Sequence, residues 1–443
     1  VSRAVARARE GATPRRVAVV GAGWAGLAAA VRLTEAGASV TVFDAAADPG
    51  GRARAMASDP AFDNGQHILI GAYARTLALM RDVGADPEAL LWRSPLSLAY
   101  PDGVALALPA GAAIPAFLRG VLAARGFAVA DKLALLSAAA GWFARGFRAP
   151  PEATVAALSR ALPARVRERI VEPLCVAALN TPAADASAAV WLRVLRDALF
   201  AGPGSSDLLL PRAPLSALLP APAAAWLAAR GAELRWRAPV QSLERASPHA
   251  GGGWRVENER FDAVVLACGP ASAARLARPQ APDWAARADA MPFEPIATVW
   301  LDSVGARLPQ PMLALREGPA APAQFAFDLG RLHGAAGSVA CVISGARRWA
   351  EAGLPATGAA VQAQAIAALG AFGLGAGTRV VKVAIEKRAT FRCVPGLDRP
   401  ASFVTPGLWA AGDHLEGPYP ATLEGAVRSG EAAARAVMAT PAP

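Results

Sequence analysis

Three glycines and one carboxylate carry the strongest chemical signal in the chain. Gly21, Gly23 and Gly26 form G-x-G-x-x-G directly after the apolar run Val17–Val20, and Asp44 stands eighteen residues beyond the last of them. This spacing suits a pyrophosphate held at the start of a helix. The first glycine permits a tight turn, the second lets backbone approach the phosphates, and the third lets helix pack closely on strand. The helix, opening at Trp24 and Ala25, directs its amides and positive dipole end toward the anion. An acid closing the next strand, as Asp44 does, can bond ribose hydroxyls. Strand, turn, helix, strand and acid together predict a dinucleotide site. A second turn, Asp48-Pro49-Gly50-Gly51-Arg52, follows it. Gly51 lets the chain pass near the phosphates, and the Arg52 guanidinium can pair with them bidentately.

These residues need a βαβ unit beneath them, and the rest of the pattern is discontinuous. From about residue 76 the text turns helical and apolar, over Leu77–Val83, Ile114–Leu122, Asp131–Phe147, Val166–Leu179 and Ala188–Phe200. Gly202-Pro203-Gly204-Ser205-Ser206 reads as a linker. A helix over Leu215–Arg230, short strands over Glu233–Trp236 and Val240–Leu243, and a turn at Gly251-Gly252-Gly253 follow. Phe261–Ala267 reads as a buried parallel strand. Further strands are expected at Ala297–Leu301, Ser338–Ser344 and Val380–Glu386. The chain closes on Gly407–Asp413 and a helix over Glu424–Met438. The expected fold class is α/β. A Rossmann-type domain over 16–75, 205–275 and 395–443 carries an inserted mixed α+β substrate domain over 76–204 and 276–394. Residues 1–15 are expected to form a disordered lead.

The 443 residues, 54% apolar, can fill a large core. The net charge of +10 is almost all arginine, since Lys132, Lys382 and Lys387 are the only lysines. The arginines are dispersed, with no zinc-finger spacing and no RNP-like aromatic motif, which argues against nucleic acid as a partner. Cys175, Cys268, Cys341 and Cys393 are widely spaced, and the four histidines do not cluster, so neither a metal site nor a disulfide framework is expected. His249 and His333 read as loop residues. The opening residues lack an apolar h-region, and no uncharged apolar run approaches the length of a membrane span. The expected location is cytoplasmic. Arg119, Arg125, Lys132, Arg145 and Arg148 interleave with apolar runs, a pattern suited to peripheral contact with the inner face of a bacterial cytoplasmic membrane.

Four separated pieces, GAGWAGLAAAVRL…VFDA, DPGGRA, AVVLACGP and GLWAAGD…ATLEGAVRSG, resemble the FAD-dependent amine oxidase and phytoene desaturase superfamily, in the right order over nearly the whole chain. Within it, Phe62–Tyr73, Glu386–Phe391 and Pro420–Gly430 are similar to the hydroxysqualene dehydroxylases, also called squalene-associated FAD-dependent desaturases. Two departures stand out: Asp44 where the superfamily often has Glu, and Asp413-His414 where relatives tend to have Trp-Thr after the Asp.

The resemblance implies FAD as cofactor and assigns further residues to it. Val240 would serve the adenine through backbone groups. Gly412 and Asp413 would meet the ribityl or phosphate-side hydroxyls. Free amides at Thr422 and Leu423 would stabilise negative charge at the flavin N1/C2=O edge. The loop Asn64-Gly65-Gln66-His67 would pass the isoalloxazine, with Gly65 permitting close approach and Gln66 reaching the ring face or the substrate's polar head. His67 is the candidate catalytic acid, because an imidazolium can protonate a departing hydroxyl near neutral pH; His414 is a second, weaker candidate.

The implied reaction is reduction of hydroxysqualene to squalene and water, in squalene or hopanoid synthesis. The implied partners are a long-chain isoprenoid substrate and prenyl synthases of the same pathway. The apolar segments 77–200 and 290–345 could line an elongated pocket for it. Two readings compete: a carotenoid-type desaturase acting on a long polyisoprenoid, and a non-catalytic prenyl-lipid carrier.

Overall fold

The computed structural model describes residues 14–56, 59–247 and 252–441. Most of the expected lead, together with His249 and Gly251, lies outside the described residues. Val17, Val19, Val42 and Val265 are fully or almost fully buried, as expected of strands covered on both faces. They belong to a six-stranded sheet in the order Glu233–Arg235, Ser39–Phe43, Arg16–Val20, Ala263–Leu266, Leu408–Ala410, Phe403–Thr405. The first five strands run parallel, with Val19 opposite Val42 on one side and Val265 on the other. The last is antiparallel. The helices Trp24–Glu35 and Leu423–Ala439 cross on one face of this sheet. A Cβ on Gly430 would lie 2.1 Å from the Ala25 carbonyl oxygen, so only glycine allows that approach. The other face is covered by a meander, Leu243–Arg245, Trp254–Val256 and Glu259–Phe261, and by the helices Pro270–Ala277 and Pro282–Asp289.

One expected boundary moves. The expected substrate domain begins at residue 76, within the helix Ala74–Asp82. Its Leu77, Leu79 and Met80 instead share a core with Leu27 and Leu33 of the nucleotide-binding helix. Periodicity marks such a helix as amphipathic but does not say which core takes its apolar face.

A second sheet is antiparallel throughout, in the order Met312–Ala314, Phe325–Asp328, Ser338–Ile343, Phe293–Asp302, Arg379–Phe391. Ala297, Val299 and Leu301 pack against Val361, Ala365 and Leu369 of the helix Leu354–Leu369. A helical layer contains Ala113–Ala123, Val129–Ala144 and Ala188–Leu199, in which Trp142 meets Trp191 edge-on at 5.4 Å between ring centres. The helix expected over Val166–Leu179 is interrupted by a π turn at Arg167–Val171 before Glu172–Leu179. Pro173 has no N–H to continue the ladder, and a local widening accommodates it. Pro220 likewise divides the expected helix at 215–230 into Leu215–Leu218 and Pro220–Ala228. His333 ends a short helix, Leu329–His333, rather than lying in a loop. Among the described residues no helix is long and apolar enough to cross a membrane.

Candidate flavin site

The glycine turn behaves as its spacing predicts. Gly21 has φ +111°, and a Cβ there would meet the Ala267 carbonyl oxygen at 2.6 Å; a Cβ on Gly26 would stand 1.9 Å from the Gly21 oxygen. Gly23 differs. The nearest atom to a Cβ there is Gly51 Cα at 3.9 Å, and a Cβ on Gly51 would lie 3.1 Å from Gly23 Cα, so the two glycine turns lie backbone against backbone with no side chain on either. Bare backbone of this kind lets a pyrophosphate approach the turn closely. The Trp24 indole is buried and donates to the Ala53 carbonyl at 2.9 Å. It props the second glycine turn. Ala25 is packed beneath the last helix, so both residues offer the site only their place in the helix's first turn.

Asp44 reaches back to the same turn. Its Oδ2 accepts from the Ala22 amide at 2.6 Å and its Oδ1 from the Ala46 amide at 2.7 Å. The Asp44 carbonyl accepts from Ala238 N, which brings the segment leading to Val240 alongside. Val240 is buried but precedes the strand Leu243–Arg245 instead of lying in it, and its carbonyl accepts from Arg275 Nη2 at 2.8 Å.

Arg52 is committed differently from the expectation. Its Nη2 donates to Asp413 Oδ1 at 2.5 Å and its Nη1 to the Ala389 carbonyl at 2.7 Å. The guanidinium joins the nucleotide turn, the last parallel strand's end and the second sheet. Burial opposes ionisation of Asp413, but Arg52 and His414 overcome it and hold the carboxyl well below the usual carboxylate range. Gly412 is forced, because a Cβ would stand 2.5 Å from His414 Nδ1; its amide donates to Ser429 Oγ at 3.0 Å. Sequence reading missed Arg399, which donates to the carbonyls of Asp413, Gly417 and Tyr419 and so shapes the loop after the strand. No local pattern distinguishes it from other surface arginines.

Thr422 is the N-cap of the last helix, its hydroxyl accepting from Gly425 N at 3.0 Å. The helix opens at Leu423, and its first amides remain at the exposed dipole end. Glu424, almost fully buried, accepts from Thr76 N and Oγ1 and from Arg75 N, which fixes that helix start against the helix Ala74–Asp82.

The loop at residues 64–67 lies between the two sheets' elements. Asn64 Nδ2 donates to the Arg52 carbonyl at 3.0 Å and to Glu386 Oε2 at 3.2 Å. A cleft of about 420 Å³ runs along Gly51, Arg52, Asn64 and Glu386. Gly65 takes φ +90°, and half-buried Gln66 follows it. His67 Nδ1 lies 3.1 Å from the Gly65 carbonyl, an arrangement that uses Nδ1 as the donor and leaves Nε2 an acceptor. Burial pushes the imidazole below its ordinary value; the Gly65 carbonyl resists and nearby Arg52 reinforces the drop. Burial thus works against the imidazolium form expected of a catalytic acid at this position. Beside it Phe62, Ile68 and Ile70 pack with Ile296 and Trp300 of the second sheet, Phe62 edge-on to Trp300 at 5.2 Å.

The facing glycines, the acid at Asp44, the buried Asp413 and the open helix end fit an extended dinucleotide whose ring system reaches the loop at Gly65. A parallel nucleotide-binding sheet joined to an antiparallel second sheet carries these residues, and together with the family match over most of the chain they define an FAD-dependent oxidoreductase. Residues 24–438 match the family described as flavin containing amine oxidoreductase, and the chain belongs to that family. It is 28% identical to a hydroxysqualene dehydroxylase of Rhodopseudomonas palustris, over 96% of this chain and 99% of the other. A probable zeta-carotene desaturase of Synechococcus elongatus is 44% identical over 72 residues, 16% of this chain and 15% of the other. Among solved structures, an oxidoreductase from Methanosarcina mazei superposes with a TM-score of 0.68 at 15% identity, covering 96% of this chain and 100% of the other.

Proposed function

We propose that the protein catalyses the reductive dehydroxylation of hydroxysqualene to squalene. The single observation that carries this reading is the apolar cluster in which Phe62, Ile68, Ile70, Ile296 and Trp300 pack beside His67. A polyisoprenoid needs such walls, and the full-length relative named above acts, by its name, on this alcohol. Bound FAD in its fully reduced form would supply the hydride that replaces the hydroxyl, and the one proton released as the flavin is reoxidised would balance departure of the hydroxyl as water. The chain's own residues do the rest. Gly65 lets the loop approach the ring system, the helix start at Leu423 favours negative charge near it, and the apolar walls exclude water.

Anaerobic incubation of the flavin-reduced protein with hydroxysqualene tests the reading. Flavin reoxidation with matching squalene formation supports it. Turnover of phytoene by the oxidised protein, with no reaction of hydroxysqualene, would assign a carotenoid-type desaturase instead.

A substrate this insoluble is best taken from a bilayer. Ile114, Leu118 and Leu122 on one helix, and Val129, Leu133 and Phe143 on the next, are exposed large apolar side chains. Arg119, Arg125, Lys132, Arg145 and Arg148 are interspersed with them. We infer that this face rests on anionic lipid at the cytoplasmic side of the membrane, as a monotopic contact.

A further inference from the structure

The strand Phe293–Asp302 turns Ala297, Val299 and Leu301 to the core under the helix Leu354–Leu369, and Ile296 and Trp300 to the opposite face. Thr298 stands between Ile296 and Trp300 and shares their face. It is 1% exposed, and its hydroxyl has no hydrogen-bond partner within the described residues. Its neighbours across the sheet are Val342 and Ala384, both apolar. Buried hydroxyls normally have partners, and valine would fill the same volume with none to satisfy. The position gains its meaning from Gly65. A Cβ on Gly65 would lie 3.7 Å from Thr298 Oγ1 and 3.9 Å from His67 Cε1. The Thr298 hydroxyl and the Cε1 edge of His67 thus border a spot that a glycine keeps clear of side chain. His67 Nδ1 faces the Gly65 carbonyl, which leaves Nε2, on the other side of Cε1, able to accept.

We propose that Thr298 Oγ1 and His67 Nε2 form a subsite for the hydroxyl of the alcohol substrate. This deepens the proposed function and rests on it. The substrate O–H donates to His67 Nε2 while its oxygen accepts from the Thr298 hydroxyl, so every donor in the set has an acceptor. The hydrocarbon product can make neither bond. The subsite therefore fixes the reacting carbon at Gly65 and favours departure of the product.

Spectral titration of the oxidised, FAD-loaded protein tests this without turnover, using hydroxysqualene and squalene as probes. Thr298→Val is expected to weaken alcohol binding about tenfold, leave squalene binding within about twofold, and leave the ligand-free flavin spectrum unchanged. Thr298→Ser is expected to restore alcohol binding. Unchanged alcohol binding in Thr298→Val overturns the inference, as does equal weakening of both ligands, which marks a packing residue. A shifted ligand-free spectrum assigns the hydroxyl to the flavin and also overturns it. If the wild type makes squalene while Thr298→Val binds the alcohol normally, this inference alone falls. If the reduced wild type makes no squalene, the proposed function falls first.

Discussion

Arg52 and Asp413 are 361 residues apart in sequence and 2.5 Å apart in space. Their contact closes a ring from the second glycine turn to the end of the last parallel strand. Asp413 is 9% exposed, and its carboxyl titrates below the usual carboxylate range when folded. A carboxylate with a depressed folded value stabilises the protein above its unfolded value, about 3.9, and this contribution fades as pH falls from there through the folded value. The Arg52 side chain is 41% exposed, so solvent screens the pair. Asp413→Asn is expected to cost about 1 kcal/mol near pH 7 and less at pH 3. Urea unfolding of both proteins at the two pH values checks this, and an equal difference at both would refute it.

Gly23 and Gly26 belong to one motif yet do different work. Gly26→Ala puts a methyl 1.9 Å from the Gly21 oxygen, so it is expected to destabilise the fold by about 3 kcal/mol or more. Gly23→Ala meets no atom nearer than 3.9 Å. Its apoprotein should unfold within a few degrees of the wild type while binding FAD poorly, because the methyl occupies the approach to the phosphates. Thermal midpoints of the apoproteins, set beside flavin content after reconstitution, separate the two effects. A full FAD complement in Gly23→Ala would contradict the assignment.

His67 gives a pH dependence of definite sign. Its folded value is depressed by burial, and by Arg52 against the pull of the Gly65 carbonyl. The unfolded chain therefore binds the proton first, and stability is lost as pH falls below about 6.5. His67→Gln should flatten the stability profile between pH 7 and 5. His67→Leu, which has no acceptor to offer, should reduce turnover on the proposed alcohol substrate about tenfold. Chemical denaturation across that range, with steady-state rates at pH 7, tests both. A profile as steep in the variant as in the wild type would show that other groups set it.

The motif residues were legible because their partners are local. Gly21, Gly23, Gly26 and Asp44 lie within one βαβ unit, where spacing and φ requirements follow from the backbone alone. The start of the last helix was legible from Thr422 and the apolar run behind it. The contacts that Arg52 and Thr298 make were not legible. A guanidinium after two glycines suggests a phosphate, and only the fold brings Asp413 and the Ala389 carbonyl within reach. Thr298 sits in the apolar strand text of Phe293–Asp302, and its hydroxyl matters only because Gly65 passes beside it. Glu431 gave no signal either, although it is 1% exposed and ties Arg32 to Arg75 across three helices. The charge of His67 depends on burial and on Arg52, neither of which a sequence displays.

The exposed helix pair makes a prediction about where the enzyme works. Ile114, Leu118 and Leu122 recur every four residues, so they form one stripe along the helix Ala113–Ala123. Leu122 is 58% exposed and Val129, just beyond the turn, is 72% exposed. Lys132 folds back onto the Leu122 carbonyl at 2.7 Å, which holds a positive charge at the edge of the stripe. An apolar stripe with a basic margin gains from both burial in the headgroup region and attraction to anionic lipid. Vesicles containing phosphatidylglycerol should retain the protein at low salt and release much of it at high salt, and neutral phosphatidylcholine vesicles should retain far less. Leu118→Asp with Leu122→Asp should abolish retention without changing the thermal midpoint by more than a few degrees, because both side chains already face solvent. Turnover on detergent-dispersed substrate should survive in that variant while turnover on vesicle-borne substrate falls. Retention of the double variant equal to that of the wild type would move the contact elsewhere on the surface.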